Sequence, residues 1–227
     1  MRTIMVVNAK GGSGKTTLAT TLAGYFARRG TTALKDLDPQ GSSNDWLAQR
    51  PASAARIHGI RERRNGPTMT RAWQMRAPLN TDWLIVDTPA GFDPNRFVTE
   101  LRKVDRLLIP VIPSPIDIRA TAAFLRTLAQ FRRAYLSRAQ WGVVANRVTP
   151  YSPAFYTLQR IFTNLNIPFI ASFSESGVYL RAAQEGLSLW DMEPELSERE
   201  RQEWAPLLEW VENDHAHPAQ PSLALAD

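Results

Sequence analysis

The ten residues "NAKGGSGKTT", Asn8 to Thr17, constrain the fold of this chain more than any other stretch. A short apolar run, residues 3–7, leads into them. They carry three glycines and two lysines and end in Thr16 and Thr17. Leu18, Leu22, Tyr25 and Phe26 then recur at helical spacing, with Gly30 as a natural stop. Strand, Gly-rich loop, Lys-Thr and helix in that order form the context of a phosphate-binding loop. Glycines let backbone N–H groups turn inward on phosphate oxygens, and the helix N-terminus adds partial positive charge. Gly11, Gly12, Ser13 and Gly14 therefore read as a cradle, and Lys15 as the cation at the β- and γ-phosphates. Thr16 reads as a Mg2+ ligand and Thr17 as a partner of the α-phosphate.

The rest of the chain keeps the alternation. Strand patterns cover 32–38, 82–89, 105–113, 141–148 and 167–173, and helical patterns cover 42–51, 117–136 and 197–212. This predicts an α/β fold: a doubly wound, mainly parallel sheet with helices on both faces, of the P-loop NTPase type. Such sheets bind ligands at the carboxyl ends of their strands. Two acidic residues belong at that edge. Asp87 closes the apolar run "DWLIVD", where a carboxylate holds Mg2+ through water. Asp38 lies just beyond the second strand, at the rim set by Pro39, with Asp36 as its competitor. Lys35 stands out as a cation in a sheet covered on both faces, which needs water or a carboxylate at its amine.

The 227 residues suit one domain, expected over 1–213, and the tail 214–227 reads as disordered. Segment 52–80 is Arg-rich and without regular period. The absence of cysteine excludes disulfides, thiolate metal sites and a Cys nucleophile, and suits a reducing cytosol. The N-terminus does not read as a signal peptide, and no apolar run approaches the ~18–20 residues of a membrane span. A cytoplasmic location is expected.

The loop departs from the plain phosphate-loop pattern: Ala9 stands at the first glycine and Lys10 follows it. "KGGSGKTT" resembles the deviant Walker A box of the ParA/MinD ATPases. "DLDPQGSS" (36–43), "LIVDTPAG" (84–91), "PVIPSPIDI" (110–118) and "ANRV" (145–148) resemble further boxes of that family. The chain looks most like the short, ParF-like ParA proteins. The resemblance implies an ATP- and Mg2+-dependent hydrolase that forms a sandwich dimer on binding ATP. It implies that Lys10 reaches phosphates held by the other subunit, and that Asp38 orients the attacking water and touches the metal through water. It also implies that Asn146 contacts the base. Lys10, Lys15 and Asp38 are then the catalytic set.

Rival functions within this class need features the chain lacks. Iron–sulfur carriers need cysteines, bacterial tyrosine kinases of this fold need a tyrosine cluster in the tail, and MinD-type membrane binding needs a basic final helix. Here residues 191–227 hold ten acids against Arg199 and Arg201. The body is basic: residues 50–76 hold seven Arg and one Glu, and residues 119–138 hold five Arg and no acid. That balance suits a polyanion. Non-specific DNA is the expected partner, through Arg61, Arg63, Arg64, Arg132, Arg133, Arg138 and Arg181. An adaptor of the ParB/ParG kind would stimulate hydrolysis, and the ATP state would sit on the nucleoid. The cargo is open between a plasmid, a chemoreceptor cluster and a protein microcompartment. The alternative expectation is a nucleotide-gated protein switch with little hydrolysis and no DNA role.

Overall fold

Seven short segments, most of them near-continuous apolar runs, build one sheet. The computed structural model describes residues 1–61, 77–136, 139–149, 152–165 and 167–213. The strands are β1 (Arg2–Val6), β2 (Thr32–Asp36), β3 (Ile57–Arg61), β4 (Trp83–Asp87), β5 (Arg106–Val111), β6 (Gln140–Val148) and β7 (Phe169–Ser174). Their order is β3-β2-β4-β1-β5-β6-β7, and every pairing among the described residues is parallel. The expected "mainly parallel" sheet is thus parallel throughout the described residues. The chain leaves the central β1 to fill one side of the sheet, then returns through β4 and fills the other. That reversal places a crevice at the carboxyl end of β1.

The helices are α1 (Lys15–Ala27), α2 (Ser42–Gln49), α3 (Val98–Leu101, entered from a 3₁₀ turn at Pro94–Phe97), α4 (Pro115–Tyr135), α5 (Pro153–Asn164), α6 (Gly177–Gln184) and α7 (Pro194–Glu212). Proline stands at the first position of α4, α5 and α7, where its missing N–H costs nothing. In front of α4, Ser114 and Asp117 bond one another in the manner of a capping box.

Alternation splits the core in two. Met5, Leu84, Val86, Leu107 and Val143 point to the face covered by α4 and α5, and meet Phe124, Leu128 and Phe162 there. Ile4, Val6, Leu34, Ile85, Leu108 and Val144 point to the face covered by α1 and α7. The acid-rich final helix is part of this second core. Trp204, Leu207, Leu208, Trp210 and Val211 are buried, and Trp204 stacks on Phe173 at 4.7 Å. Arg2 donates to the carbonyls of Val211 and Glu212, and Arg106 to that of Asn213, so arginines close the helix end.

Several elements differ from expectation. Strand β3 lies within the segment read as irregular; it is an edge strand with only Ile57 and Ile60 buried. Helices α3, α5 and α6 are not foreseen by the periodicity. Strand β2 ends at Asp36, two residues early: the Asp38 N–H is drawn to Asp36 Oδ1, and the chain turns from Asp38 to Gly41. Among the described residues no helix is long and apolar enough to cross a membrane. The tail 214–227 lies outside the described residues.

Candidate functional site

The phosphate loop joins β1 to α1, and its shape is fixed by polar ties rather than by apolar packing. Asn8 is buried: its Nδ2 donates to the Pro110 carbonyl (2.7 Å) and to Thr121 Oγ1 (3.1 Å), while its Oδ1 accepts from the Lys10 N–H (3.0 Å). The Ala9 carbonyl accepts from the Gly91 N–H, and Thr88 Oγ1 donates to the Val6 carbonyl. The loop is therefore held by β5, α4 and the segment after β4. Gly14 caps α1 with φ +94°, and a side chain at this position would collide with Asn146. Only glycine satisfies both conditions. The first turn of α1 carries no acid and no side-chain cap, so its N–H groups face the loop unanswered, as an anion cradle requires.

Lys15, Thr16, Asp38 and Asp87 converge beside this loop. The buried Lys15 donates from Nζ to the Lys10 carbonyl at 3.0 Å. Burial lowers its pKa, against the opposing pull of Asp87 and Asp38. Asp87 ends β4 and is fully buried, and neither carboxylate oxygen has a hydrogen-bond partner among the described residues. Burial pushes its carboxyl up to about 7; Thr16 and Lys15 oppose that rise, while Asp36 and Asp38 add to it. An orphaned carboxylate next to a threonine hydroxyl fits a hard divalent cation. No group of three or more His, Cys, Asp or Glu among the described residues is placed to hold a metal unaided. That fits Mg2+, which keeps waters and shares its shell with substrate phosphates.

Asp36 and Asp38 separate cleanly. Asp36 is buried and accepts from the Asp38 N–H (2.9 Å), the Asn44 N–H (3.1 Å) and Asn44 Nδ2 (2.8 Å). It is a tether that shapes the turn and fixes the start of α2. Asp38 is half-buried on that turn and accepts from the Gln40 N–H (2.9 Å). Lys35 turns away from both: its Nζ pairs with Glu100 at 3.2 Å on the opposite sheet face, beside Leu84 and Val86.

Asn146 approaches the loop from the end of β6, its Nδ2 donating to the Ser13 carbonyl at 3.0 Å. A narrow cavity beside it is lined by Gly14, Thr17, Val144, Phe173, Tyr179 and Trp204. A wider cleft of about 300 Å³ opens between α1, α2 and α6, with Thr16, Thr17, Trp46 and Tyr179 on its walls.

The arginines are dispersed. Arg61 ends β3, exposed, near the Gly41 turn that follows Asp38. Arg181 is exposed on α6 and pairs with Glu185 at 3.4 Å. Arg132 and Arg133 fall in the last turn of α4. Arg63, Arg64 and Arg138 lie outside the described residues. Asn8, Thr121 and Asn44 go unforeseen because their partners are set by topology: Asn8 and Thr121 are 113 residues apart.

The model of the CobQ/CobB/MinD/ParA nucleotide-binding domain matches residues 4–188. A maintenance of carboxysome distribution protein A from Gloeobacter kilaueensis is 32% identical over 191 residues, covering 83% of each chain. Its counterpart from Halothiobacillus neapolitanus is 29% identical over 192 residues, 84% of this chain and 87% of that one. Among solved structures, McdA of Cyanothece in its apo form superimposes with a TM-score of 0.68 at 18% identity, covering 93% of this chain and 98% of that one. A variant of it in complex with ATP gives 0.67 at 18% identity, over 91% and 96%.

Proposed function

The chain belongs to the CobQ/CobB/MinD/ParA nucleotide-binding family, and from that premise we propose that it is a ParA-type ATPase that positions a cargo. The observation that carries this reading is Asp87, wholly buried, unpartnered and facing Lys15 and Thr16 of the phosphate loop. A carboxylate kept in that state is costly without a cation to meet it. The cofactors are ATP and Mg2+. Gly11, Gly12, Ser13 and Gly14 turn their N–H groups on the phosphates, Lys15 neutralises the β- and γ-phosphates, and Thr17 bonds the α-phosphate. Thr16 and, through water, Asp87 and Asp38 hold the metal, which supplies charge neutralisation at the transferring phosphoryl group. Asp38 orients the attacking water; its Oδ1 accepts from the Gln40 N–H, while the bonds from Asn44 and the Asp38 N–H fall to Asp36.

In this reading ATP closes a sandwich dimer, Lys10 crosses to the partner's phosphates, and Asn146 reads the base end. The dimer rides non-specific DNA through arginines. Arg119 and Arg126 are exposed on α4, and their spacing of seven keeps them on one helix face. A ParB/ParG-like adaptor stimulates hydrolysis and release, and the ATP state gathers on the nucleoid. The likeness to two carboxysome-distribution proteins favours a protein microcompartment as cargo over a plasmid or chemoreceptor cluster. The pairing of Lys35 with Glu100, away from the site, favours a hydrolysing enzyme over a hydrolysis-free switch.

Steady-state turnover of the chain with Mg·ATP, with and without duplex DNA, tests this. The unmodified chain hydrolyses ATP and is stimulated by DNA. Asp38→Ala loses turnover by about 10²-fold or more while still dimerising on ATP. Normal turnover in Asp38→Ala removes Asp38 from its role, and a chain inert with DNA overturns the ATPase reading.

A further inference from the structure

Among the described residues, Arg147 is the one non-glycine with positive φ, at 53°. Arginine adopts the left-handed region at a cost, and residues held there cluster at functional sites. The cause is local. Strand β6 runs beside β7, and their register slips between Ala145 and Val148. Asn146 and Arg147 are the residues inside that slip. A bulge re-aims side chains. For Asn146 the result is visible: Nδ2 donates to the Ser13 carbonyl, and Oδ1 accepts from the Arg147 N–H at 3.0 Å. For Arg147 it is an exposed side chain with no hydrogen bond or ion pair among the described residues. The strained backbone thus joins a tether to the phosphate loop with an uncommitted guanidinium on the same edge.

Resting on the reading of the loop as a nucleoside triphosphate site, we propose that Arg147 is the base clamp of that site, its guanidinium plane lying on a face of the bound purine. Strand β6 is two strands from β1, a gap of roughly 10 Å at ordinary strand spacing. The phosphates are gathered at β1 by the loop and Lys15, so a cation that far along the edge meets the nucleoside end instead. Arginine suits that end: its planar, weakly hydrated cation stacks on aromatic faces, which lysine does poorly. Asn146 then links the base end to the phosphate loop through Ser13.

The test compares ATP with inorganic tripolyphosphate, each with Mg2+, binding to the full chain and to Arg147→Gly and Arg147→Lys. Glycine accepts the positive φ, so Arg147→Gly folds and melts higher without ligand. It is expected to weaken ATP binding about tenfold and leave tripolyphosphate unchanged, with Arg147→Lys weakened nearly as much because the plane is lost. Equal losses for ATP and tripolyphosphate, or no loss for either, overturn the clamp and leave the nucleotide site standing. Failure of the unmodified chain to bind both ligands overturns the nucleotide reading and the clamp with it.

Discussion

The buried Asp87 titrates far from the range of a free carboxylate. Its carboxyl, raised from 3.8 to about 7, binds a proton more readily folded than unfolded. Between those values the folded chain holds the extra proton, so stability without ligand falls as pH rises from about 4 through 7. Asp87→Asn removes the titrating group. In EDTA the variant is expected to melt higher than the unmodified chain at pH 8, by roughly 2–4 kcal/mol of stability, with the gap closing toward pH 4. It also loses Mg2+-dependent ATP binding. Thermal melts across pH check the first effect, and parallel curves for the two proteins would contradict it. Asp87 was legible in the sequence because an apolar run ending in Asp has one common meaning in this fold. The division of labour between Asp36 and Asp38 was legible only in part. Pro39 marked the rim, but the bonds from Asn44 that commit Asp36 depend on where α2 lands. Lys35 was conspicuous as a misfit, and its partner Glu100, 65 positions on, was not foreseeable.

At the scale of elements, α2 works as a strut between the Asp38 turn and the segment before α7. At its start Asn44 holds Asp36. Just past its end, Arg50 meets Asp191 through two bonds of 2.8 and 3.0 Å, both side chains being only 4% exposed. Trp46 adds a bond to the Leu187 carbonyl. Burial pushes the Asp191 carboxyl up, but bonds from Arg50 and Ser188 outweigh it and hold the carboxyl below its usual range. The pair therefore contributes above the unfolded pKa near ~3.9 and loses its contribution as pH falls through the lower folded value. Asp191→Ala leaves a buried guanidinium unpaired and is expected to cost ~3–5 kcal/mol at pH 7, with the difference shrinking below about pH 4. Chemical denaturation at both pH values measures it; a neutral substitution at pH 7 would show that the strut is slack. None of this was legible, since Arg50 and Asp191 each look like ordinary surface charges in sequence. The long, strongly patterned elements were legible. The edge strand β3 and the helices α3, α5 and α6 were not: β3, α3 and α6 are four to eight residues long with few buried positions, and the 12-residue α5 buries only Leu158 and Phe162.

For the whole molecule, the sheet order puts the loop, the Asp38 turn, Asp87 and the Asn146–Arg147 bulge along one carboxyl edge, so the residues of the proposed nucleotide site share one face. The charge balance, basic in the body and acidic in the docked final helix, leaves α4 as the face best suited to a polyanion. The central claim is that nucleotide state gates DNA binding. Binding of the chain to a random-sequence duplex, with Mg·ATP and with Mg·ADP across a salt series, tests it most directly. The account predicts binding that needs ATP and weakens with a log–log salt slope of roughly −3 to −6, the signature of a few arginine–phosphate contacts from each subunit. Equal binding with ATP and ADP, or none with ATP even at low salt, would contradict it.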